Sequence, residues 1–266
     1  MLPPVTPYKR FDPVKLIPIA IAISSLVAVA IGAWIIAPDF IAQASYKGLT
    51  SDLHISSNNN QGHSSSSGSE QEDSINWQAA NEKIPATSAW LTVDGTSVDL
   101  PVAQASQDNP DFYLSHDIWG NYSQSGSLFL DEFCTPQGSS LIVYGHKMNY
   151  ANSMFHDLGD KADQDAFNDL GEARWYVEGY KTAHFVPVAA TRVNAYESDL
   201  RNVPHMNDKD RSDWIKNVFL PQATARSNYD VSTISPNTRI LFLVTCSGYA
   251  RYGQDARTVI MYVEKL

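Results

Sequence analysis

The stretch Arg239-Ile-Leu-Phe-Leu-Val-Thr-Cys246 is the most informative part of the sequence. Its apolar and β-branched residues are typical of a buried strand, so Cys246 lies at a strand end. A second run of this kind, Arg257-Thr-Val-Ile-Met-Tyr-Val263, begins with an arginine. A cation on the neighbouring strand favours the thiolate form of a cysteine, which is the reactive form. The pattern therefore predicts thiol chemistry at Cys246.

A histidine is presented in the same way further upstream. Leu141-Ile-Val-Tyr-Gly145 is an apolar strand-like run that delivers His146 at its end. We interpret Cys246 as a nucleophile for a peptide carbonyl, with His146 transferring protons and Arg257 stabilising the oxyanion or fixing the substrate backbone. The alternative is a structural set: a core cysteine, a turn histidine and an arginine in a surface ion pair.

Several other residues are secondary candidates for this site. Tyr144 and Thr245 flank the catalytic candidates and could line a substrate groove, and Asp255 could orient Arg257 or the substrate. Other side chains could replace a main candidate: His116 or His156 as the base, and Arg251 as the cation.

Composition narrows the class of protein. The chain has 266 residues and 43% hydrophobic content, enough for one sizeable folded domain. A formal net charge of -10 opposes binding to phosphate backbones, so we expect no nucleic-acid partner. No acidic cluster has calcium-loop spacing, so the sequence assigns no metal site and no cofactor. The sequence contains 2 cysteines, and a Cys134–Cys246 disulfide is the alternative to a free nucleophile.

The N-terminal region predicts a membrane anchor. Residues 16–37 carry no charged side chain, and a helix of that length can cross a hydrocarbon core of roughly 30 Å. Positive charges at Lys9, Arg10 and Lys15 predict a cytoplasmic N-terminus and an extracellular C-terminal part. The alternative is a cleaved signal peptide, because Ala42-Gln-Ala44 resembles a processing site.

These features predict four regions: a cytoplasmic tail at 1–15, a single transmembrane helix at 16–37, an extracellular linker at 38–74 and a catalytic domain at 75–266. The linker is rich in Ser, Asn and Gly and has little to bury, so we expect a flexible tether. His54 and His63 lie in this tether and have no predicted role.

The domain itself is predicted to be mostly β. Eight short apolar runs, separated by Gly, Asn, Asp and Pro, indicate a barrel or sandwich. Three helices are predicted: a short one over 75–84 with Ser74 as its N-cap, one over 160–170, and a longer amphipathic helix over 208–220. The predicted strands are 90–93, 97–102, 127–130, 140–144, 174–177, 184–191, 239–245 and 257–263.

The local sequences at the candidate site resemble those of sortases, the membrane-anchored cysteine transpeptidases of Gram-positive cell envelopes. The resemblance is carried by Leu243-Val-Thr-Cys246 followed by Arg257, and by Tyr144-Gly-His146 followed by Met154-Phe155 and Leu158. It covers about residues 75–266. Further matching motifs are Trp90-Leu-Thr-Val-Asp-Gly-Thr96, Leu100-Pro-Val102, Asp108-Asn109, Tyr113-Leu114 and Gly126-Ser-Leu-Phe-Leu-Asp131.

The helices at both ends of the predicted domain look like the class B branch. That resemblance implies a closed eight-stranded β-barrel with an N-terminal helical segment and a long helix before the cysteine strand, and it implies catalytic roles for His146, Cys246 and Arg257. Two features depart from the pattern: Arg251 lies between Cys246 and Arg257, and Cys134 has no counterpart with a known role.

The resemblance also implies a reaction and its partners. A sortase cleaves a C-terminal sorting signal, for class B of the type Asn-Pro-x-Thr-x, and forms a thioester at its cysteine. It then transfers the surface protein or pilin to an amine of a peptidoglycan precursor or of a pilin lysine. Two other classes remain open. A secreted cysteine peptidase would release its product to water, and a non-catalytic surface binding module would not need the thiol.

Overall fold

The structure is a computed structural model that describes residues 17–55, 74–148, 153–194, 199–246 and 256–265. For residues 17–21 and 33–39, and for Ile55 and Cys246, only the backbone is described. The predicted cytoplasmic tail, most of the Ser-rich part of the linker, His63, Arg251 and Asp255 lie outside the described residues.

A closed barrel of eight strands forms the body of the molecule. Its strands are β3 (Thr87–Val93), β4 (Asp99–Gln104), β5 (Leu128–Leu130), β6 (Ser140–Tyr144), β7 (Ala173–Tyr176), β8 (Ala183–Asn194), β10 (Ile240–Cys246) and β11 (Ala256–Glu264). Around the barrel the strand order is β11, β10, β6, β5, β4, β3, β7 and β8, and β11 pairs again with β8 to close the sheet. Each of the eight predicted strands is present, which confirms the predicted barrel.

Three short strands lie outside the barrel proper. Strand β1 (His54–Ile55) pairs with β2 (Ser74–Ile75) in a separate two-stranded sheet. Strand β9 (Ala225–Arg226) pairs with β8 and adds a short ninth strand to the barrel sheet. Most neighbouring strands are antiparallel, but β6 pairs with β10, and β4 with β5, in parallel. The parallel pairing of β6 with β10 matters for function, because parallel neighbours end at the same edge of the barrel.

The continuous apolar sequence of β10 is explained by burial on both of its faces. One face fills the barrel interior. The other is covered by the predicted amphipathic helix, where Phe219 contacts Phe242 with ring centroids 5.3 Å apart. That helix consists of α4 (Asp208–Trp214), a π-helical turn (Ile215–Phe219) and α5 (Leu220–Gln222). It lies between β8 and β10 in the chain, as predicted.

The shorter helices differ in detail from prediction. Helix α2 (Trp77–Lys83) is capped by Asn76, whose side chain accepts a hydrogen bond from the Ala79 amide. The predicted cap, Ser74, instead belongs to strand β2. Asn76, two residues later, caps the helix equally well, so α2 begins after it. Helix α3 (Gln164–Phe167) covers only part of the predicted 160–170 helix.

The largest difference from prediction concerns the linker. Helix α1 (Ile17–Leu53) continues far beyond the predicted span, and its last turns lie on the barrel. We call residues 42–55 the docked segment. Tyr46 and Leu53 are buried, and Thr50 donates a hydrogen bond to the Asp99 carbonyl. This part of the predicted flexible tether therefore has apolar surface to bury, and the prediction was wrong for these residues.

His54 also has a structural role that the sequence did not predict. Its Nε2 atom lies 2.7 Å from Asp99 Oδ1, and the same oxygen accepts a hydrogen bond from the Trp90 indole at 2.6 Å. The Leu53 carbonyl accepts from the Asn76 amide at 2.8 Å. The end of α1 is thus fastened to the first barrel strands by side-chain and backbone hydrogen bonds.

The predicted membrane span falls partly outside the described residues, which exclude residue 16 and the side chains of 17–21 and 33–39. Among the residues that the structure describes, none belongs to a helix with the length and apolar character needed to cross a bilayer.

Candidate active site

The pairing of three neighbouring strands brings the main candidates together. Strand β10 lies between β6 and β11. In the antiparallel pair, Cys246 is the direct cross-strand partner of Arg257. In the parallel pair, Val244 lies opposite Tyr144, and two residues further along each strand are Cys246 and His146. Adjacent strands are about 4.8 Å apart, so His146, Cys246 and Arg257 form a row across one barrel edge.

Gly145 allows the close packing that places His146 at this edge. Its amide donates to the Val244 carbonyl at 3.1 Å, which extends the β6–β10 pairing. A Cβ atom at this position would lie 2.4 Å from Leu128 Cδ2 and 2.7 Å from Phe155 Cδ2. The Phe155 amide in turn donates to the His146 carbonyl at 2.9 Å. The buried Phe155 thus holds the His146 backbone in place. Residue 145 must be a glycine, because a side chain there would collide with Leu128 and Phe155.

A backbone carbonyl orients the His146 ring. The Nε2 atom lies 2.8 Å from the carbonyl oxygen of Leu114. A carbonyl can only accept, so Nε2 must carry a hydrogen. In the neutral ring the lone pair is then on Nδ1, which becomes the nitrogen that exchanges a proton with a reacting group. Leu114 belongs to a short 3-10 helix, Phe112–Leu114, within the loop between β4 and β5. A backbone group of this loop therefore determines which ring nitrogen of His146 carries the hydrogen.

Arg257 has donors to spare. Among the described residues its guanidinium makes one hydrogen bond, from Nη1 to the Ala256 carbonyl at 3.4 Å, and no ion pair. Two other arginines of the domain are occupied: Arg174 pairs with Asp94, and Arg239 pairs with Glu264. A guanidinium with its fork uncommitted, next to the cysteine, is suited to binding an oxygen anion or a peptide carbonyl.

An open cleft of about 120 Å³ adjoins this row of residues. Its walls are mainly apolar, and Arg257, Arg201, Glu132 and Asp111 supply charge along it. The remaining lining residues are Pro110, Leu114, Phe129, Tyr144, Val193, Leu200, Val244 and Val259. A cleft with apolar walls and a few charged groups can bind a short extended peptide beside the thiol.

Tyr144 lines the cleft, and its contact with substrate stays a prediction. Its hydroxyl donates to Asp131 Oδ2 at 3.1 Å, and its ring stacks on Phe129. Burial, followed by the neighbouring Asp131 carboxylate, raises the pKa of Tyr144 far above its usual range. The phenol therefore stays protonated, and Tyr144 can shape the cleft but cannot act as a base.

The other secondary candidates lie elsewhere. Thr245 is 2% exposed and is not among the residues that line the cleft. The His116 ring is stacked on Phe112 at 3.9 Å, and Nδ1 of His156 is held by the Met148 carbonyl. Both histidines are thus engaged in loop structure. Asp255 and Arg251 lie outside the described residues.

Cys134 is a free, buried thiol. The Cys134–Cys246 disulfide left open by the sequence is therefore not formed. Burial raises the pKa of Cys134 to about 12, and the nearby Asp131 carboxylate adds to this effect. A thiol in this environment is protonated at neutral pH and unreactive. Within the described ranges, no group of three or more His, Cys, Asp or Glu side chains is arranged to hold a metal ion.

Two contributions to this site were not predicted from the sequence. The Leu114 carbonyl acts through the backbone, for which the residue type gives no indication. Arg201 reaches the cleft from a 3-10 helix, Asp199–His205, and Glu132 from a loop. The sequence motifs Tyr113-Leu114 and Gly126–Asp131 include Leu114 and end directly before Glu132, but they do not indicate these roles.

No protein-family model and no curated protein sequence matches the chain. Solved structures do. Sortase B of Clostridium perfringens matches with a TM-score of 0.61 and 27% identity, over 71% of this chain and 100% of that chain. A Streptococcus pyogenes class B sortase involved in pilus biogenesis matches with a TM-score of 0.57 and 22% identity, over 72% of this chain and 98% of that chain.

A third match is sortase B from the type II pilus of Streptococcus pneumoniae, with a TM-score of 0.55 and 23% identity, over 70% of this chain and 97% of that chain. The two streptococcal structures, at these identities, show the fold alone. Together the comparisons show that this barrel has the sortase fold, the fold of a class of cysteine transpeptidases.

The burial of Cys134 and the position of Cys246 at a strand end opposite Arg257 predict very different reactivity for the two thiols. Iodoacetamide at neutral pH should modify the native chain once, at Cys246, and should leave Cys134 unmodified until the protein is denatured, because only a thiolate reacts. Peptide mapping by mass spectrometry would locate the adduct. Cys134→Ala should remain active within a few-fold, whereas Cys246→Ala should be inactive. Modification of Cys134 in the folded protein would contradict this description of its surroundings.

Proposed function

We propose that this protein is a class B-like sortase, a transpeptidase that uses Cys246 as its nucleophile. The observation that carries the proposal is the strand register, in which His146 and Arg257 occupy the strands on either side of Cys246. The sortase fold of the barrel and the mainly apolar cleft beside Arg257 support it.

In the first half of the reaction, the Cys246 thiolate attacks the carbonyl carbon of the scissile peptide bond. The carbonyl oxygen becomes negatively charged, and the Arg257 guanidinium donates hydrogen bonds to it. His146 protonates the leaving nitrogen through Nδ1, because Nε2 is engaged by the Leu114 carbonyl. The carbon–nitrogen bond breaks, the C-terminal fragment departs as an amine, and a thioester remains on Cys246.

In the second half, an incoming amine attacks the thioester. His146, now neutral, removes a proton from the amine through the same Nδ1 atom. A new amide bond forms, the carbon–sulfur bond breaks, and the thiolate is regenerated beside the imidazolium. The histidine thus gives one proton and takes one back, and no net proton transfer to solvent is needed.

The substrates we propose are surface proteins or pilins with a C-terminal sorting signal of the Asn-Pro-x-Thr-x type. The acceptor is an amine of a peptidoglycan precursor or of a pilin lysine. The cleft beside Arg257 has a volume of about 120 Å³, which is far too small for a folded domain. Two of the similar structures are described as pilus sortases, which makes a pilin lysine a reasonable acceptor to test.

Anchoring in the cell membrane completes the proposal. The uncharged run at residues 16–37 would form a single transmembrane helix, with positive charges on its cytoplasmic side and the barrel outside. Exposed apolar side chains on α1, such as Ile23, Leu26 and Val29, support this assignment. An anchor next to the catalytic domain would hold the enzyme where exported substrates emerge.

Trapping the thioester tests the proposed function. The purified full chain should be incubated with an Asn-Pro-x-Thr-x peptide library and analysed by intact-protein mass spectrometry. We expect an added mass that matches the N-terminal part of a peptide, located at Cys246 and absent from Cys246→Ala. No adduct with any peptide would contradict the proposal.

The two rival classes give different results in the same experiment. Adding triglycine or a lysine-containing pilin peptide should divert the acyl group into an amide-linked product. A cysteine peptidase would release only the free acid, whether or not amine is present. A binding module would retain peptide without a covalent bond, and alkylating Cys246 would not change its affinity.

Arg257 should be required as a planar fork rather than as a positive charge. A guanidinium offers parallel donors in a fixed plane, which an ammonium cannot reproduce. Arg257→Lys and Arg257→Ala should both lower kcat/KM by at least about 100-fold, the effect of removing an oxyanion-stabilising donor. Initial rates of transpeptidation measure this loss.

The matched control is Arg251→Ala, which should stay within a few-fold of the parent. Near-parental activity in Arg257→Lys would show that charge alone suffices. An inactive Arg251→Ala protein with an active Arg257→Ala protein would move the role to the other arginine.

A further inference from the structure

The Tyr46 hydroxyl occupies a buried position between the docked segment and the loop that precedes β5. Tyr46 is 4% exposed, and burial raises the pKa of Tyr46 to about 12. Its oxygen lies 3.1 Å from Ser127 Oγ and accepts a hydrogen bond from the Ile118 amide at 3.0 Å. Its ring is tilted against Trp119 with centroids 5.2 Å apart.

The directions of these hydrogen bonds can be assigned. Ser127 Oγ also lies 3.0 Å from the His116 carbonyl, which can only accept, so the single Ser127 hydroxyl hydrogen is used there. The Tyr46 hydroxyl must then donate to Ser127. The result is a chain of donors from the Ile118 amide to Tyr46, to Ser127 and to the His116 carbonyl. Each member of such a buried chain strengthens the next.

This chain of hydrogen bonds holds the loop on both sides of Leu114, the residue whose carbonyl orients His146. The Ser127 amide donates to the Tyr113 carbonyl at 3.0 Å, so Ser127 holds the loop at both residue 113 and residue 116. Between these two points lies Leu114, whose carbonyl accepts from His146 Nε2. Gly126 permits this close approach, because a Cβ atom there would lie 2.3 Å from the Tyr113 oxygen.

We propose that Tyr46 is a positioning residue for the reaction: from the juxtamembrane helix, it holds the loop whose Leu114 carbonyl keeps the hydrogen of His146 on Nε2. The inference rests on the proposed function for its effect on turnover. Its effect on the imidazole does not depend on that function. Tyr46, which lies in a segment predicted as a passive tether, then helps to position a catalytic residue.

Tyr46→Phe in the full-length chain tests this directly, because it removes the hydroxyl and keeps the ring against Trp119. We expect kcat for peptide transfer to fall about 10-fold with little change in KM, since small displacements of a catalytic group slow chemistry more than binding. The ¹⁵N NMR shifts of a labelled His146 ring report the tautomer. The neutral parent should show a protonated Nε2, and the variant a mixture of both tautomers.

Two controls separate positioning from stability. Leu53→Ala, in the same docked segment but outside the chain of hydrogen bonds, should lower Tm by at least about 5 °C and leave kcat unchanged well below Tm. Thr50→Val removes a hydroxyl that contacts the Asp99 carbonyl and should leave kcat and the tautomer unchanged. If Tyr46→Phe is much less stable than the parent, its kcat should be compared with that of Leu53→Ala, each measured at a temperature where the two variants are folded to the same extent.

The outcomes distinguish this inference from the proposed function. Parental kcat and an unmixed tautomer in Tyr46→Phe would overturn the inference while leaving the sortase assignment intact. Equal losses of kcat in Tyr46→Phe and Leu53→Ala would also overturn it, because docking alone would then be responsible. If the parent formed no thioester, the proposed function would fail, and the tautomer measurement would still decide whether Tyr46 orients His146.

Discussion

The parallel pairing of β6 with β10 is the interaction on which the candidate site depends. Parallel strands end at the same edge of a sheet, so two residues distant in sequence, His146 and Cys246, emerge side by side. The antiparallel β11 then returns Arg257 to the same position from the other side. Any slip of this register by one residue would exchange the faces of every side chain along the strand. The continuous burial of β10 resists such a slip, because its apolar residues have fixed places in the core and under the helix α4–α5.

The chemistry at this edge is set by loops as much as by strands. The histidine receives its orientation from a loop carbonyl, and that loop is held by Ser127 and by the docked segment of α1. Burial, with the Asp131 carboxylate adding to its effect, raises the pKa of Tyr144 and of Cys134 and keeps both groups protonated. The barrel thus brings the three candidate catalytic residues together, while polar contacts around it orient the histidine.

Much of this arrangement could be predicted from the sequence, for identifiable reasons. The barrel strands were found because β-branched runs alternate with Gly, Asn and Pro, and the three main site residues were found because they end or begin such runs. The docked segment was missed because the Ser, Asn and Gly content of the region as a whole was taken to indicate a tether. Its buried residues, Ala42, Tyr46, Leu49 and Leu53, recur at helical spacing and were the available signal. The Leu114 carbonyl could not have been found, because backbone groups leave no mark on residue type.

The most direct test of the central claim is a crystal structure of the full-length chain with a substrate-mimicking peptide joined to Cys246 by a disulfide in place of the scissile bond. The account predicts that the Arg257 guanidinium lies within hydrogen-bond reach, about 3 Å, of the peptide carbonyl oxygen. It also predicts that His146 presents Nδ1 to the sulfur while Nε2 still contacts the Leu114 carbonyl. A peptide that lies outside the cleft beside Arg257 would contradict the account. So would a histidine that presents Nε2 to the sulfur and no longer contacts the Leu114 carbonyl.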